Sequence, residues 1–475
     1  MNIPCQIKTK DVFEYFVEIC SIPHGSGNTK QISDFCVEFA IRHGLKYRQD
    51  EYNNVIISKP ASPGYSAHPN VILQGHLDMV CEKQSGCDID FKNEGLRLRC
   101  DGTYIFADET TLGADDGIAV AMILAILADK AAVHPPLTAV FTTDEEVGMT
   151  GAANIDLTDI KSKILINIDS EEEGILTVSC AGGSKCEISI PVKYTSCKNN
   201  VFDICVSGLM GGHSGTEINS GRFNANVLMA GLLAFLKEKH NIRICCVNGG
   251  SKDNAIAREC SASIEIDSDM DTVCSFCKSY FSGIDLKNEK DFNFKVSESN
   301  KINSFDDKTS NCVIGFLSSV PNGVIKMNDN LKDLVQTSLN LGRVRCKDNK
   351  LYAVVSVRSS VDEEKEELVF RLREIADKFC ATMKVSGEYP AWEYKHESRL
   401  RNIMTRVYEN MFFVKPQIKA IHAGLECGLL CGKINGLDAV SFGPDILDIH
   451  TPQERLDIKS VERMYDYLIN VLKEL

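Results

Sequence analysis

Helical and extended patterns alternate up to about residue 190, and this alternation constrains the fold more than any other feature of the chain. Short segments rich in β-branched residues predict strands at Val55–Ser58, Val71–Gln74, Leu137–Thr143 and Lys163–Ile168. Between the second and third of them, the apolar run Ile118–Ala128 predicts a buried helix opened by Asp116. Such alternation is typical of an α/β domain with a mostly parallel sheet and helices on both faces.

From about residue 200 the order of predicted elements changes to strand, helix, strand, strand, helix, strand. These elements are Val201–Ser207, Asn224–Lys239, Ile242–Val247, Cys260–Asp267, Asp271–Phe281 and Phe292–Val296. A related order recurs, with a hairpin turn at residues 347–350, in Cys312–Ser319, Val335–Cys346, Leu351–Arg358, Val361–Phe379 and Thr382–Ser386. We therefore predict an inserted α+β domain of two βαββαβ-like halves at residues 198–388. Residues 1–197 and 389–475 would form the other domain.

The bulk composition excludes several classes of partner. The net charge is -14, and a chain this acidic would be repelled by nucleic-acid phosphates. Residues 1–6 lack the basic start and apolar core of a signal peptide, and Ile118–Ala128 is too short to span a bilayer. The 20 cysteines are scattered, mostly within apolar patterns, and Cys274 and Cys277 form a lone CxxC pair. We expect reduced thiols in a cytoplasmic protein without nucleic-acid or membrane partners.

Three predicted strands of the first domain are each followed by residues of the types that bind metals. In open α/β sheets, ligands bind beyond the carboxyl ends of the strands. Three strands therefore deliver histidine and carboxylates to one edge of the sheet. The three segments that follow the strands are Gly75-His76-Leu77-Asp78, Asp144-Glu145-Glu146 and Asp169-Ser170-Glu171.

Each of these signals also has a plainer interpretation. His76 and Asp78 are two residues apart, which suits a carboxylate that orients a metal-binding imidazole, but also a surface turn. Residues 113–117 are a generic glycine-bounded loop, in which Asp116 would cap the helix and leave Asp115 free to bind metal. Only the coincidence of all these segments favours a metal site.

The adjacent carboxylates Glu145 and Glu146 match a requirement of hydrolysis by two metal ions. One carboxylate must bind metal, and another must act as the base for the activated water. A solvated acidic turn is the alternative. A ligand set of His, Asp and Glu without thiolate is typical of an open catalytic site and not of a closed structural one.

The chain resembles the aminoacyl-histidine dipeptidases, also called Xaa-His dipeptidases or peptidase D, a branch of the dizinc exopeptidases with an inserted lid domain. The resemblance runs in register over essentially the whole chain. It rests on GHLDMV (75–80), TTLGADDGIA (110–119), TTDEEVGMTGA (142–152), NIDSEEEG (167–174), CAGG (180–183), GLMGGHSG (208–215), PNGVI (321–325), HAGLECGL (422–429) and SFGPDILDIHTP (441–452).

The resemblance implies a role for each matching residue of the proposed catalytic domain, residues 1–197 and 389–475. His76 and Asp169 would hold one metal ion, Glu146 and His450 the other, and Asp115 would bridge the two. Asp78 would support His76, and Glu145 would be the general base. Zinc is the expected ion, and cobalt and manganese also tolerate this ligand set.

The lid would supply the remaining groups. By the same resemblance, His213 would polarise the scissile carbonyl, Asn254 would assist at the oxyanion, and Arg358 would bind the C-terminal carboxylate of the substrate. His422 and Glu426 also match the branch. They either contact substrate or belong to a loop that packs beside His450.

These residues predict a metal-dependent dipeptidase whose substrates carry a free C-terminal carboxylate, with a preference for Xaa-His dipeptides of the carnosine type. The alternatives are an N-acyl-amino-acid deacylase on the same scaffold and, from a different class, a catalytically silent metal-binding scaffold. A silent scaffold usually loses a ligand or the base, and all of them are present here.

The doubled lid bears on the oligomeric state, which is predicted as monomer or homodimer. In relatives with a single lid unit, each active site takes His and Asn from the lid of a neighbouring chain and Arg from its own. Here the first half carries His213 and Asn254 and the second carries Arg358, while the first strand of the second half is not recognisable. We expect one chain to assemble a complete site.

Overall fold

The computed structural model describes residues 9–329 and 334–475. They form two compact units. The first contains the described residues up to Ser179 together with Tyr394–Ala420 and Leu425–Leu475, and the second contains those of Cys180–Glu393 together with Ile421–Gly424. The helices are α1 Lys10–Cys20, α2 Lys30–Arg42, α3 Ala114–Ala128, α4 Thr150–Asn154, α5 Ala225–Lys239, α6 Met270–Ser282, α7 Asp307–Ser319, α8 Asp362–Lys378, α9 Arg399–Phe412, α10 Glu426–Lys433 and α11 Ile458–Glu474.

The three longest strands lie in the second unit. In chain order they are β1 Lys46–Gln49, β2 Val55–Lys59, β3 Val71–His76, β4 Leu98–Cys100, β5 Tyr104–Ala107, β6 Leu137–Thr142, β7 Ile164–Asn167, β8 Ile175–Cys180, β9 Gly182–Pro191, β10 Tyr194–Ser196, β11 Asn200–Ser207, β12 Gly212–His213, β13 Arg243–Gly249, β14 Ala255–Ile256, β15 Cys260–Ile266, β16 Asn293–Glu298, β17 Asn303–Phe305, β18 Gly323–Met327, β19 Val335–Lys347, β20 Lys350–Ser359, β21 Thr382–Tyr389, β22 Gln417–Ile421, β23 Asp438–Ser441, β24 Ile446–Leu447 and β25 Arg455–Asp457.

The first unit is built on an eight-stranded sheet in the order β1-β2-β6-β3-β7-β23-β8-β22. Its four central strands, β6, β3, β7 and β23, are mutually parallel, while β1 and β2 run antiparallel at one edge. The central strands are buried along their length, which is why they read as continuous apolar runs. The predicted α/β class with a mostly parallel sheet is confirmed.

Helix α3 is buried on all sides, with every residue from Ala114 to Leu127 inside the first unit. It packs against α1 and β3. A helix that is apolar all round is stable only where it is enclosed. Its first turn carries Asp115 and Asp116, so the polar site begins where this apolar core ends.

The second unit is built on a mainly antiparallel sheet in the order β16-β11-β15-β13-β19-β20-β9-β21, with β18 paired to β19. The first predicted half supplies β16, β11, β15 and β13, and α5 and α6 connect its strands. The second half supplies β19, β20, β9 and β21 in the mirrored order, with α7 and α8 in the corresponding places. Strands β13 and β19 join the two halves through the pair Gly249 and Val344.

The strand that the sequence left unrecognised in the second half is β9. It pairs antiparallel with both β20 and β21, as β11 pairs with β15 and β16 in the first half. The first half is therefore inserted into the second, directly after its opening strand. Because β9 belongs to this sheet, the second unit begins at Cys180, earlier than the predicted boundary at residue 198.

The structure can also be compared with the expectations for the hairpin turn and for the cysteines. The predicted hairpin at residues 347–350 is confirmed: Asp348 and Asn349 connect β19 to β20 with positive φ angles of 49° and 55°. No disulfide bond joins the nineteen cysteines among the described residues. In the described part of the chain, no helix combines the length and the apolar character needed to cross a bilayer.

Candidate active site

Strands β3, β6 and β7 bring the three predicted ligand segments together. Strand β3 lies between the other two and is parallel to both, and His76 at its end is in register with Thr142 of β6. Asp169 follows the end of β7 by two residues, and Glu145 and Glu146 follow the end of β6. Adjacent parallel strands end at the same edge of a sheet, so these side chains meet there.

Asp115 lies between the two histidines of this site. Its Oδ1 is 3.1 Å from Nε2 of His76, and its Oδ2 is 3.2 Å from Nε2 of His450. The backbone there leaves helical geometry, with φ -82° and ψ 103° at Asp115, and the peptide bond to Asp116 is cis. One carboxylate oxygen is thus directed to each histidine, which is the arrangement that a bridging ligand requires.

His450 and Glu146 complete the second half of the cluster. Nε2 of His450 lies 2.9 Å from Oε1 of Glu146. His450 stands in a loop between β24 and β25 with φ 60°, in the left-handed region that non-glycine residues rarely adopt. The sharp turn directs a ligand from the C-terminal part of the chain onto the edge of the sheet.

Asp78 supports the cluster through the backbone. Nδ1 of His76 lies 3.0 Å from its carbonyl oxygen, and the carboxylate accepts hydrogen bonds from the N–H groups of Glu145 (3.0 Å) and Glu146 (3.3 Å). Ser26 donates to the same carboxylate at 2.8 Å. Asp78 therefore fixes the orientation of His76 and the turn that carries the two glutamates.

The electrostatics of the cluster favour an additional positive charge. Hydrogen bonds to Asp115 and Glu146 raise the pKa of His450 to about 10. Burial alone would lower the pKa of His76, but hydrogen bonds to Asp115 and Asp78 and the charge of Asp169 raise it well above the usual range. Both imidazoles respond to an excess of nearby carboxylate, which a divalent cation would neutralise.

The donor atoms fit metal ions. His76, Asp116 and Asp169, then His76, Glu145 and Glu146, and finally Asp115, Glu146 and His450 form groups whose candidate ligand atoms lie within 4.8 Å of one another. Oδ2 of Asp169 is buried and makes no hydrogen bond. Nitrogen and carboxylate oxygen without sulfur suit zinc, cobalt or manganese.

Asp116 does not cap helix α3, so this expectation was wrong. Residue Gly113 occupies the N-cap position, and the buried carboxylate of Asp116 instead accepts the N–H of His76 at 3.1 Å. The carboxylate of Asp116 can take this position because Gly75 has no side chain: a Cβ at Gly75 would lie 2.6 Å from Oδ2 of Asp116. The carboxylate fills this space beneath β3.

Glu145 is partly buried beside the cluster. Burial raises the pKa of Glu145 to about 8 and outweighs the opposing charge of His76. A carboxylate with a pKa near neutrality exchanges protons readily at physiological pH. Its neighbour Glu146 contacts His450, so the two adjacent side chains have different surroundings.

His213 and Asn254 lie together in the second unit. Strand β12 pairs with β14, and the N–H of Ser214 donates to the carbonyl of Asn254 at 2.9 Å. Nδ1 of His213 accepts the N–H groups of Gly215 and Thr216 at 3.3 and 3.2 Å. The proton of the neutral ring therefore resides on Nε2, which is left as a donor.

Arg358, on β20, belongs to the same unit. Its Nη1 donates to the hydroxyl of Tyr389 at 2.9 Å, and Nε is buried without a hydrogen bond. The ring of Tyr389 has room because Gly183 opposes it: a Cβ there would lie 2.4 Å from the ring. Among the ion pairs of the described residues, none involves Arg358, so its charge remains available for an anion.

His422 and Glu426 occupy different units. His422 is buried in the second, with Nε2 2.7 Å from the hydroxyl of Ser338, and burial together with Arg358 lowers its pKa to about 3. Glu426 is 0% exposed in the first unit, where its carboxylate accepts hydrogen bonds from the side chains of Gln74 (2.5 Å) and Thr142 (2.6 Å). Its buried position identifies Glu426 as part of the interior, below β3 and β6.

Glu454 is a further residue of the site, and the sequence did not reveal it. Its buried carboxylate accepts backbone N–H groups of the loop that carries Asp115. The available signal was its position four residues after His450 in a segment that already carried a ligand. A lone glutamate has no distinctive spacing, so that signal is weak.

Comparison with known proteins gives close relatives over the full length. The chain is 36% identical to the cytosol non-specific dipeptidase of Escherichia coli (strain K12), over 99% of this chain and 98% of that one. The crystal structure of the aminoacylhistidine dipeptidase from Vibrio alginolyticus matches with a TM-score of 0.92 and 34% identity, covering 100% and 98% of the two chains.

More distant matches add information on the fold. The aminopeptidase PepT from Bacillus cereus matches with a TM-score of 0.58 at 15% identity, over 98% of this chain and 99% of that one. Residues 205–274 match the family model described as a peptidase dimerisation domain. That range begins in β11 and ends in α6, within the first half of the second unit.

Proposed function

The chain belongs to the M20 metallopeptidases, in the branch of the cytosol non-specific and aminoacylhistidine dipeptidases, and from this premise we propose that it hydrolyses dipeptides with two metal ions. The single observation that carries the proposal is the position of Asp115 between Nε2 of His76 and Nε2 of His450. The family recognition and the hydrolase class predicted from the sequence are confirmed.

We assign the metal ligands as the sequence predicted. His76 and Asp169 would hold one ion, Glu146 and His450 the other, and Asp115 would be a ligand of both. When bound, the ions would polarise the scissile carbonyl and make a water molecule acidic enough to ionise near neutral pH. The free oxygen of Asp169 and the carboxylate-rich surroundings of both histidines support this assignment.

Glu145 acts as the general base and passes the proton to the leaving amine. The raised pKa of Glu145 matches a group that must both accept and release a proton. Asp78 positions Glu145 through its backbone N–H, so the carboxylate does not depend on a flexible turn for its placement.

His213 donates a hydrogen bond from Nε2 to the substrate carbonyl, and Asn254 assists at the oxyanion. Because Nδ1 already accepts two backbone N–H groups, the ring can donate only from Nε2 while it is neutral. Burial and the charge of Arg358 lower the pKa of His213, which keeps the ring neutral. A donor held in this way stabilises developing negative charge.

Arg358 binds the C-terminal carboxylate of the dipeptide, and this requirement excludes an endopeptidase. The guanidinium group is anchored by Tyr389 through Nη1 and makes no ion pair among the described residues. A carboxylate would pair with its remaining N–H groups in a forked geometry.

Replacement of Arg358 by methionine should lower kcat/KM for free dipeptides by about 10- to 100-fold, the range expected for losing a hydrogen bond to a charged group. C-terminally amidated dipeptides lack the carboxylate, so the same substitution should change their cleavage little. The measurement is kcat/KM for both substrates with both proteins. Arg243→Met is the matched control, since Arg243 pairs with Glu265 in the same sheet. Equal cleavage of free and amidated dipeptides by the wild-type enzyme would give Arg358 another role.

We further propose that Xaa-His dipeptides, including carnosine-like ones, are among the preferred substrates. The 34% identity to an aminoacylhistidine dipeptidase supports this preference, while the curated relative is named as non-specific. A panel of Xaa-His dipeptides, other dipeptides and N-acyl amino acids, assayed with zinc-loaded protein, tests it. Hydrolysis of N-acyl amino acids alone would contradict the dipeptidase proposal. A cytoplasmic location is proposed on the name of the curated relative.

We also propose that one chain forms a complete site. His213 comes from the first half of the second unit and Arg358 from the other half, yet Arg358 affects the pKa of His213 within that one unit. The edges of the two halves are joined within the chain through β13 and β19. The half that carries His213 and Asn254 and the half that carries Arg358 therefore share one sheet of one chain. As the sequence predicts, we propose that His213 and Asn254 act on the metal site of their own chain, whether or not the protein dimerises.

A mixing experiment tests catalysis within one chain. His213→Ala and Glu145→Ala proteins, both expected to be inactive, are unfolded and refolded together so that mixed oligomers can form. If His213 served a neighbouring chain, up to about a quarter of the sites would regain activity. We expect no recovery, and an activity per wild-type chain that is independent of dilution. Substantial recovered activity would contradict the proposal.

A further inference from the structure

We propose that Glu454 is a positioning residue that fixes Asp115 and His450 relative to one another and thereby sets the affinity of the second metal site. The inference rests on the proposed function and concerns the group formed by Asp115, Glu146 and His450. Glu454 is 3% exposed and lies four residues after His450.

The contacts of Glu454 are almost entirely with backbone. Its Oε2 accepts the N–H groups of Leu112 (2.7 Å) and Gly113 (3.1 Å). Its Oε1 accepts those of Ala114 (2.8 Å) and Asp115 (3.4 Å). One carboxylate thus accepts hydrogen bonds from four consecutive backbone N–H groups, and the last of these groups belongs to Asp115.

The conformation of the loop explains why four donors converge. Gly113 has φ 65°, in the left-handed region, and turns the backbone so that its N–H groups face inward at the start of α3. A side chain at this position would require Met79 to move, because a Cβ would lie 2.8 Å from Sδ of Met79. The first N–H groups of a helix have no partner within the helix, and a buried carboxylate satisfies them.

The other end of Glu454 is fixed as firmly. Its own N–H donates to the carbonyl of Thr451 at 3.1 Å, and Thr451 donates through its hydroxyl to the carbonyl of Asp448 at 2.7 Å. The next residue, Arg455, begins strand β25, which pairs with β5. Glu454 therefore stands between an anchored strand and the turn that carries His450.

Glu454 consequently connects the two loops of the second metal site and not the strands of the first. His76 is the last residue of β3, and Asp169 follows the end of β7 by two residues, so the sheet holds both in place. Asp115 lies at the start of α3, where the backbone is not helical, and His450 lies in a loop. The carboxylate of Glu454 joins these two segments. Loss of this carboxylate should affect the two metal sites unequally.

The test is metal binding by Glu454→Gln protein, measured as zinc per chain after dialysis and as the two stepwise affinities. A glutamine amide has one acceptor oxygen, so it would leave part of the donors of Gly113 and its neighbours unsatisfied. We expect the second affinity to weaken about 10- to 100-fold, as for other residues that orient metal ligands. The first affinity should weaken less, because Asp115 is assigned to both ions whereas His450 is assigned to the second ion alone. After dialysis the bound zinc should fall from about two ions to about one per chain, and excess zinc should restore the second.

Two further variants separate positioning from general stability. Glu454→Asp keeps the charge and should weaken the second site less than Glu454→Gln. Glu265→Gln removes another buried carboxylate that accepts backbone N–H groups, those of Lys198 and Asn199 in the second unit. It should lower stability and leave zinc binding unchanged.

Equal weakening of both sites in Glu454→Gln, or wild-type affinity at both, would overturn the proposal. If that variant does not fold, Glu454→Asp alone decides, because an unchanged ratio of its two affinities would also overturn it. Fewer than about two ions on wild-type protein would instead contradict the proposed dimetal function itself, and this inference with it.

Discussion

Glu145→Ala protein should keep both metal ions and lose about 10²- to 10⁴-fold in turnover, the range for removal of a general base. The backbone N–H of Glu145 donates to the carboxylate of Asp78. The side chain of Glu145 is proposed to accept a proton from the attacking water and not to bind an ion. The measurements are kcat with a free dipeptide and zinc content after dialysis. Substrate binding should change far less than kcat.

The neighbouring residue provides the matched comparison. Oε1 of Glu146 lies 2.9 Å from Nε2 of His450, within the candidate metal group that these two residues form with Asp115, so Glu146→Ala should lose zinc as well as activity. The two variants remove the same side chain from adjacent positions of one turn. Equal loss of metal from both would show that the roles of Glu145 and Glu146 are assigned wrongly.

Three of the predicted ligands could be found from the sequence because each of the three follows a recognisable strand. Strands β3, β6 and β7 are apolar, short and buried, and their ends define where His76, Glu146 and Asp169 must lie. Parallel neighbours end at a common edge, so one rule places residues that are far apart in the chain. His450 follows no such strand, and only the resemblance to known peptidases indicated it.

The position of β9 could not be found in this way. The strand lies before the first half of the inserted unit, yet it pairs with β20 and β21, which follow that half. Local patterns predict that a segment is extended, but they do not predict its partner across more than a hundred residues. Of the eight strands in the main order of this sheet, the sequence therefore predicted seven and lacked β9.

The positions of buried polar residues also could not be predicted from the sequence. Asp116 looked like a helix cap, but it packs under Gly75, where the missing Cβ leaves space for its carboxylate. Glu426 and Glu454 are buried acids whose partners come from distant segments. A buried carboxylate is stable only with several donors, and the donors become visible only in three dimensions.

Removal of the metal ions should abolish hydrolysis, and addition of zinc or cobalt should restore it. Without ions the site gathers Asp115, Glu146 and Asp169 around two histidines, and it has no group that could polarise a carbonyl as strongly as a divalent cation. We expect activity to fall by more than about 100-fold after chelation and dialysis. The measurement is hydrolysis of one free dipeptide before chelation, after it, and after metal is returned.

Thermal stability gives a second readout that is independent of turnover. An ion that binds only the folded protein stabilises it by about 4 kcal/mol when its free concentration is a thousand times Kd, so Tm should fall on chelation and recover with zinc. Glu145→Ala protein is the control: it should show the same zinc-dependent rise in Tm although it is inactive, because its proposed ligands His76 and His450 are intact. Full activity in metal-stripped wild-type protein, or a Tm unaffected by chelation and zinc, would contradict the assigned metal site.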